Sequence, residues 1–495
     1  MRKGRAIPAA LAASALVPLG AARADTLQEA LTAAYENNPT LAAARATQRA
    51  TDETLPIQKA AGRPTVNSTT QYLEFVKQSA TSFISPDRVL TSQVNLAVPI
   101  YSGGAVRNGI RAADARIGAG RADLRGTESS IFSQTVAAYM DVLRNQAVVG
   151  LQANLVDVLR VNLQATSDRF EIGELTRTDV AQSQSRLAVA QSDLRTAQAN
   201  LVSARETYAQ LTGMAADDLQ PPPPLPGFPA GVEEAEDAAL AHNPDIAAAR
   251  ERARAAGYDV AVAGAGRLPR LSVITSGGYN NYLGSLTRPT GPPFPQATTT
   301  AQVGLQLNLP LFQGGLPAAQ RRQAQARQAA TLEQAVAAER AVIAQVRSAW
   351  SSWQAATAVI VSAQGAVDAA ALSLEGVRAE NSIGNRTILE VLNAEQELLN
   401  ARVQLVTARR NAYVAGFSLL AAMGRAEARD LGLVEEGLLY DPIQNYDRVK
   451  GKWFDWDDDP DPVVTTTSTA AVPPATAEIP ADAQPQMGET GNTPG

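Results

Sequence analysis

Apolar and polar residues alternate along four short segments, two in each half of the chain. Thr91, Gln93 and Asn95 interleave with Ser92, Val94, Leu96 and Val98, which predicts a two-faced strand over about 89–100, paired with another over about 66–77. In the second half Leu271, Val273 and Thr275 begin one such segment. In the other, Val303, Leu305, Leu307 and Leu309 stand opposite Gln302, Gly304, Gln306 and Asn308. Strands of about ten residues with one apolar face have the length of a tilted outer-membrane strand. A soluble hairpin packed on helices carries the same alternation, so periodicity alone leaves both open. The strands of each pair are joined by polar segments, 78–88 and 283–298, which read as exposed loops.

The period then lengthens. Residues 102–169 hold no proline, and 317–380 hold none after Pro317, which suits a first helical turn. Each stretch predicts a helix about 100 Å long. Second arms follow over about 176–212 and 387–423. In the first, Leu187, Leu194, Leu201 and Tyr208 are spaced by seven, with Ala190, Ala197, Ala204 and Leu211 three places on. The other arm repeats this with Leu398, Leu405, Ala412 and Leu419, and with Ala401, Ala408, Ala415 and Ala422. Such seams predict supercoiled helical hairpins whose backbones approach closely through alanine.

Both halves therefore share one order: helix, strand pair, long helical hairpin. Asn37-Asn38-Pro39 recurs as His242-Asn243-Pro244, and Val98 to Gly104 recurs as Leu309 to Gly315, at offsets of 205 and 211. A period near 200 residues means two copies of a domain-sized unit, not a solenoid. The expected units are a first repeat over 25–218, a Pro-rich linker over 219–231, a second repeat over 232–430 and an acidic, Pro/Thr/Ala-rich tail over 431–495. Its composition predicts that the tail is largely disordered.

Composition narrows the picture. Aromatics make up 5% of the 495 residues and there is no cysteine, which excludes disulfides, thiolate metal sites and lipidation at cysteine. Arg2, Lys3 and Arg5, an apolar stretch from Ala6 to Ala22 and Ala22-Arg23-Ala24 predict a signal peptide over 1–24. Its removal takes away four positive charges and no negative ones, moving the net charge from −6 to −10. No other run of 18 apolar residues predicts a membrane-spanning helix. If the strands face lipid they must close into a barrel. Two chains would supply eight strands and three would supply twelve, the latter with enough long arms for a hollow cylinder beneath.

The ordered set Asn37-Asn38-Pro39, His242-Asn243-Pro244, Leu309 to Gly315, Ala137 to Leu143 and Ile383 to Leu392 resembles the TolC-like outer-membrane efflux family, in its non-lipidated form. The likeness covers about 27–430. It implies a mainly α fold with β: a duplicated unit whose coiled-coil hairpins form an α-barrel, and four strands per chain of a trimeric 12-stranded β-barrel. It implies a homotrimer in the bacterial outer membrane, reaching into the periplasm. Such a channel exports drugs or proteins, type I secretion included, with a periplasmic adaptor and an inner-membrane efflux pump or ABC exporter. No cofactor, nucleic acid or catalysis is implied.

The resemblance also carries site residues. It places a gate at the periplasmic tip, mapping onto Asp179, Asn381, Arg386, Glu390 and Asn393. The positions of Glu390 and Asn393 are usually both aspartate, and that of Asn381 usually tyrosine. One acidic ring at Glu390, able to hold cations, is expected here in place of two. Arg386 is expected to pair with an acid of the neighbouring hairpin, with Asp179 as candidate. Ile172, Gly173, Glu174, Ile383, Gly384 and Asn385 match the tips that adaptors contact. Read locally, Thr176 with Asp179 and Thr387 with Glu390 also fit helix capping boxes, and the two glycines helix stops. The sole histidine, His242, has no visible catalytic or metal partners. A soluble coiled-coil adaptor is the competing reading, against which stand two hairpins and two strand pairs.

Overall fold

The computed structural model describes residues 26–78, 85–216, 218–286, 291–433 and 439–479. The expected signal peptide lies outside them, as do positions 79–84 and 287–290 of the two strand-joining loops. Three short helices open the first repeat: α1 (Leu27–Asn37), α2 (Pro39–Asp52) and α3 (Thr54–Ala60). Strands β1 (Thr65–Glu74) and β2 (Arg88–Tyr101) lead into α4 (Ala105–Glu171) and α5 (Arg177–Thr212). The second repeat has α6 (Val232–His242), α7 (Pro244–Gly264), β3 (Arg270–Asn281), β4 (Ala297–Asn308), α8 (Leu316–Ser382) and α9 (Ile388–Ala422). A last helix, α10 (Pro442–Val449), follows.

The Asn-Pro signature has a mechanical cause. Asn38 caps α2, its Oδ1 accepting from the amides of Thr40 (2.9 Å) and Leu41 (3.3 Å). Its Nδ2 donates to the carbonyl of Leu211 at the end of α5, at 3.0 Å. Asn243 caps α7 in the same way and donates to the carbonyl of Ala422 at the end of α9, at 2.9 Å. One buried side chain thus starts a helix, lets proline occupy the first turn and fixes where the long hairpin returns.

The strands form one antiparallel sheet in the order β1-β2-β3-β4. Register sorts its faces. Val66, Leu96, Thr275 and Val303 lie opposite one another in one row; Leu271 and Val273, paired with Leu307 and Leu305, continue that face. The other face carries Asn67, Asn95, Ser276 and Gln302 in a row, with Thr69, Gln93, Gly278 and Thr300 in another. Towards the helices, apolar residues therefore predominate on one side, while the middle rows of the other are uncharged polar residues. The apolar side is open, with Val303 77% and Leu305 71% exposed. Among the described residues, β1 and β4 each pair on one edge only.

The hairpin seams fall where the heptads put them. Ala190, Ala197, Leu201, Ala204 and Tyr208 of α5 are buried, and so are Leu398, Ala401, Leu405 and Ala408 of α9. Phe132, Val136, Tyr139 and Val142 of α4 join Leu201 and Tyr208 in the largest core. The two 67-residue helices differ sharply: α4 has 25 buried residues, α8 only five. Although α8 has no uninterrupted run of 18 apolar residues, one 18-residue stretch of it is apolar enough on average to cross a membrane by composition, and only 11% of that stretch is buried within the chain. It belongs to an Ala- and Val-rich helix that continues well beyond it.

Within the tail, residues 439–479 make contacts with the first repeat. Asn445 of α10 donates to Asp52 Oδ2 of α2 at 2.9 Å, and Val449 is fully buried. Further on, Arg205 of α5 donates to the carbonyls of Thr476 (2.6 Å) and Glu478 (3.0 Å), and Ile479 packs against the largest core. A segment poor in apolar side chains is held by its own backbone carbonyls, which composition does not register.

Candidate gate and hairpin tips

Both long hairpins turn in the same way. The Gly173 amide donates to the Phe170 carbonyl (3.0 Å) and that of Glu174 to Arg169 (2.9 Å); Gly384 and Asn385 repeat this with Asn381 (3.0 Å) and Glu380 (2.9 Å). These bonds require a left-handed residue, and φ is +84° at Gly173 and +81° at Gly384. The turn leaves an isoleucine at each tip, Ile172 and Ile383, both 71% exposed. Beside them Arg169 Nε donates to Glu174 Oε2 at 3.0 Å. Each tip is thus a small apolar knob in a polar collar.

Just past the turns the capping boxes form as the local reading predicts. Asp179 Oδ2 accepts from the amide (2.9 Å) and hydroxyl (2.7 Å) of Thr176. These bonds hold the Asp179 carboxyl below its usual range, the hydroxyl bond contributing most. Glu390 Oε2 accepts likewise from the amide (2.9 Å) and hydroxyl (3.0 Å) of Thr387, while its Oε1 accepts from Arg386 Nη1 at 2.6 Å. The Thr387 amide first, then Arg386, draw the Glu390 carboxyl down to about 2.

Within the chain, Arg386 finds its partners on its own hairpin. Its guanidinium is taken by Glu380 (Nε to Oε2, 2.6 Å) and Glu390, both on its own hairpin, and its carbonyl accepts from Asn381 Nδ2 at 2.8 Å. These bonds raise the Arg386 pKa. Asp179 is not among these partners within the chain; its Oδ2 is held by the α5 capping box. Asn381, Arg386 and Glu390 thus form one local cluster.

Contact between the hairpins is made elsewhere: Arg186 Nη2 of α5 donates to Asn393 Oδ1 of α9 at 2.9 Å. Sequence reading missed Arg186 and Glu380. Neither position carries a local signal, since their roles depend on which helix faces which. Glu390 keeps its charge, but Arg386 and Thr387 already occupy both its oxygens, so a cation there must displace the arginine. Higher up, Arg410 of α9 grips Asp141 of α4 with two bonds of 2.9 Å. His242 acts through its backbone, its carbonyl accepting from Arg125 at 3.3 Å.

A duplicated chain with a two-faced sheet at one end and paired coiled-coil hairpins at the other has the shape of a channel-wall segment. The sequence profile of the outer membrane efflux protein family matches residues 30–214 and 236–425, and the chain belongs to that family. It is 33% identical over 449 residues to the outer membrane efflux protein BepC of Brucella suis, covering 90% of this chain and 96% of BepC. It is 29% identical over 316 residues to the outer membrane protein TolC of Escherichia coli, covering 61% and 63% of the two chains. The fold is similar to that of the outer membrane protein VceC of Vibrio cholerae, with a TM-score of 0.69 and 24% identity over 80% of this chain and 96% of VceC. The protein is an outer-membrane channel for export that extends into the periplasm. The family and these relatives are channel proteins rather than enzymes.

Proposed function

We propose that three copies close this channel, each giving four strands to a 12-stranded barrel and two hairpins to the helical tunnel below. The observation that carries this reading is the inequality of the repeats. In α4, packing against α5, α7 and α9 buries residues all along the helix, whereas the equivalent face of α8 lies open. A neighbouring copy presenting α2 to α8, as α7 is presented to α4, would cover that face. It would also pair the free edge of β4 with the next β1, as lipid requires. The uncharged polar face of the sheet then lines the lumen.

At the periplasmic end, the cluster of Asn381, Arg386 and Glu390 and the bond from Arg186 to Asn393 fasten the tip. Ile172, Gly173 and Glu174, with Ile383, Gly384 and Asn385, form the surface that takes a periplasmic adaptor, which joins the channel to an inner-membrane efflux pump or ABC exporter. Drugs or proteins pass through after the tip relaxes. The test is the mass of the purified protein in detergent together with single-channel recording. A trimer forming small-conductance channels is expected; a stable monomer without channel activity would reject the assembly.

A further inference from the structure

Three of the four residues Trp453 to Trp456 are large aromatics, and none is covered: Trp453 is 56%, Phe454 80% and Trp456 92% exposed. Such a cluster is costly in water and marks a contact surface. Its position is fixed from below. Lys59 of α3 donates to the carbonyl of Lys450 at 2.9 Å, and Arg63 to that of Lys452 at 2.7 Å. The Arg63 guanidinium also lies 4.5 Å from the Trp453 ring centre. Arg63 stands two residues before β1, whose Val66 begins the apolar face of the sheet at the end nearest the helices. The aromatics therefore lie at the helix end of the sheet, beside the start of β1.

We propose that Trp453, Phe454 and Trp456 form a foot that seats in the headgroup layer of the periplasmic leaflet, with zwitterionic phospholipid as its ligand. Indole and phenyl rings favour that layer, where an apolar body and a polar edge are both solvated. Charge selects the lipid. Residues 447–461 carry three cations (Arg448, Lys450 and Lys452) and six aspartates, and Lys59 and Arg63 beneath them bring the cations to five. Lys452 pairs with Asp457 and Asp459, and Arg448 with Asp459. The surplus is a single negative charge, so anionic headgroups gain no net attraction. In a chain without cysteine, the foot gives the channel a contact with the bilayer outside its strands.

Tryptophan fluorescence tests this, because the chain has four tryptophans and the other two, Trp350 and Trp353, stack near Phe228. Trp350 lies 34 residues along α8 from its start at Leu316, hence about 50 Å from the rim. The full-length channel is reconstituted in phosphatidylcholine vesicles with and without bromine on the upper acyl chain. Wild type should lose fluorescence to bromine, and W453F/W456F should lose none. Phosphatidylglycerol vesicles at low salt should not strengthen the quenching. Equal fractional quenching of the two proteins would overturn the foot, and stronger quenching in phosphatidylglycerol would overturn its lipid. Shielding of Trp453 and Trp456 from both bromolipid and aqueous acrylamide would place them under a neighbouring subunit and reject the proposal. Flotation with the vesicles separates these outcomes from a failure to insert, which would reject the membrane channel and the foot together.

Discussion

Asn38 and Asn243 show how a single side chain can set the geometry of a much larger element. Each joins the start of one helix to the last carbonyls of a long hairpin arm, and each is almost wholly buried. Asn243→Ala removes a cap and leaves the Ala422 carbonyl without this donor, at a cost of about 2 kcal/mol. The thermal midpoint of the detergent-solubilised protein, followed by circular dichroism, should fall, and an unchanged midpoint would show the cap to be dispensable. At the tip, Arg186→Ala removes the bond to Asn393 that joins two hairpins. Channels of this variant should open more often in planar bilayers than wild type, with Arg186→Lys intermediate.

The pH dependence of the tip follows from Glu390. Its folded-state pKa of about 2 lies below the ordinary 4.5, so its capping and pairing are in force above pH 4.5 and are lost as pH falls towards 2. Conductance should be steady at neutral pH and rise on acidification through that window. Glu390→Gln should flatten the response. Because Arg386 already occupies this carboxylate, trivalent cations should block only weakly, and Arg386→Ser should tighten the block.

At the scale of elements, the repeats differ in what covers them. The linker between them supplies Leu225 to the largest core and Phe228 to the second, against Trp350 and Trp353. The tail then runs back along α5, where Arg205, only 5% exposed, holds two of its carbonyls. Arg205→Ala should free residues beyond about 470 to added protease while leaving the helix content unchanged. Equal cleavage of wild type and variant would mean that the strap is already open in solution.

At the scale of the molecule, the sheet divides lumen from lipid by register alone. One face is Asn, Gln, Ser and Thr in row after row, so the barrel offers permeating molecules hydrogen bonds but few charges. Ion selectivity should therefore reside at the helical tip rather than in the barrel. Exchanging Asn95 for lysine should shift the reversal potential less than Glu390→Gln does, and the opposite order would place the selective ring in the membrane.

By itself the sequence determined the duplicated order, the four strands, the hairpin seams and the helix caps. All of these are local patterns, set by residues a few positions apart: alternation, heptads, Asn-Pro and Thr-x-x-acid. The turns at Gly173 and Gly384 were legible for the same reason. Tertiary structure decided what depends on facing surfaces. Within the chain it turned Arg386 towards Glu380 and Glu390 on its own hairpin. It joined Asn393 to Arg186 across two hairpins, left α8 bare where α4 is covered, and bound a Pro- and Thr-rich tail through backbone carbonyls. Composition cannot register such bonds, since every residue has a carbonyl and only the fold decides which of them an arginine meets.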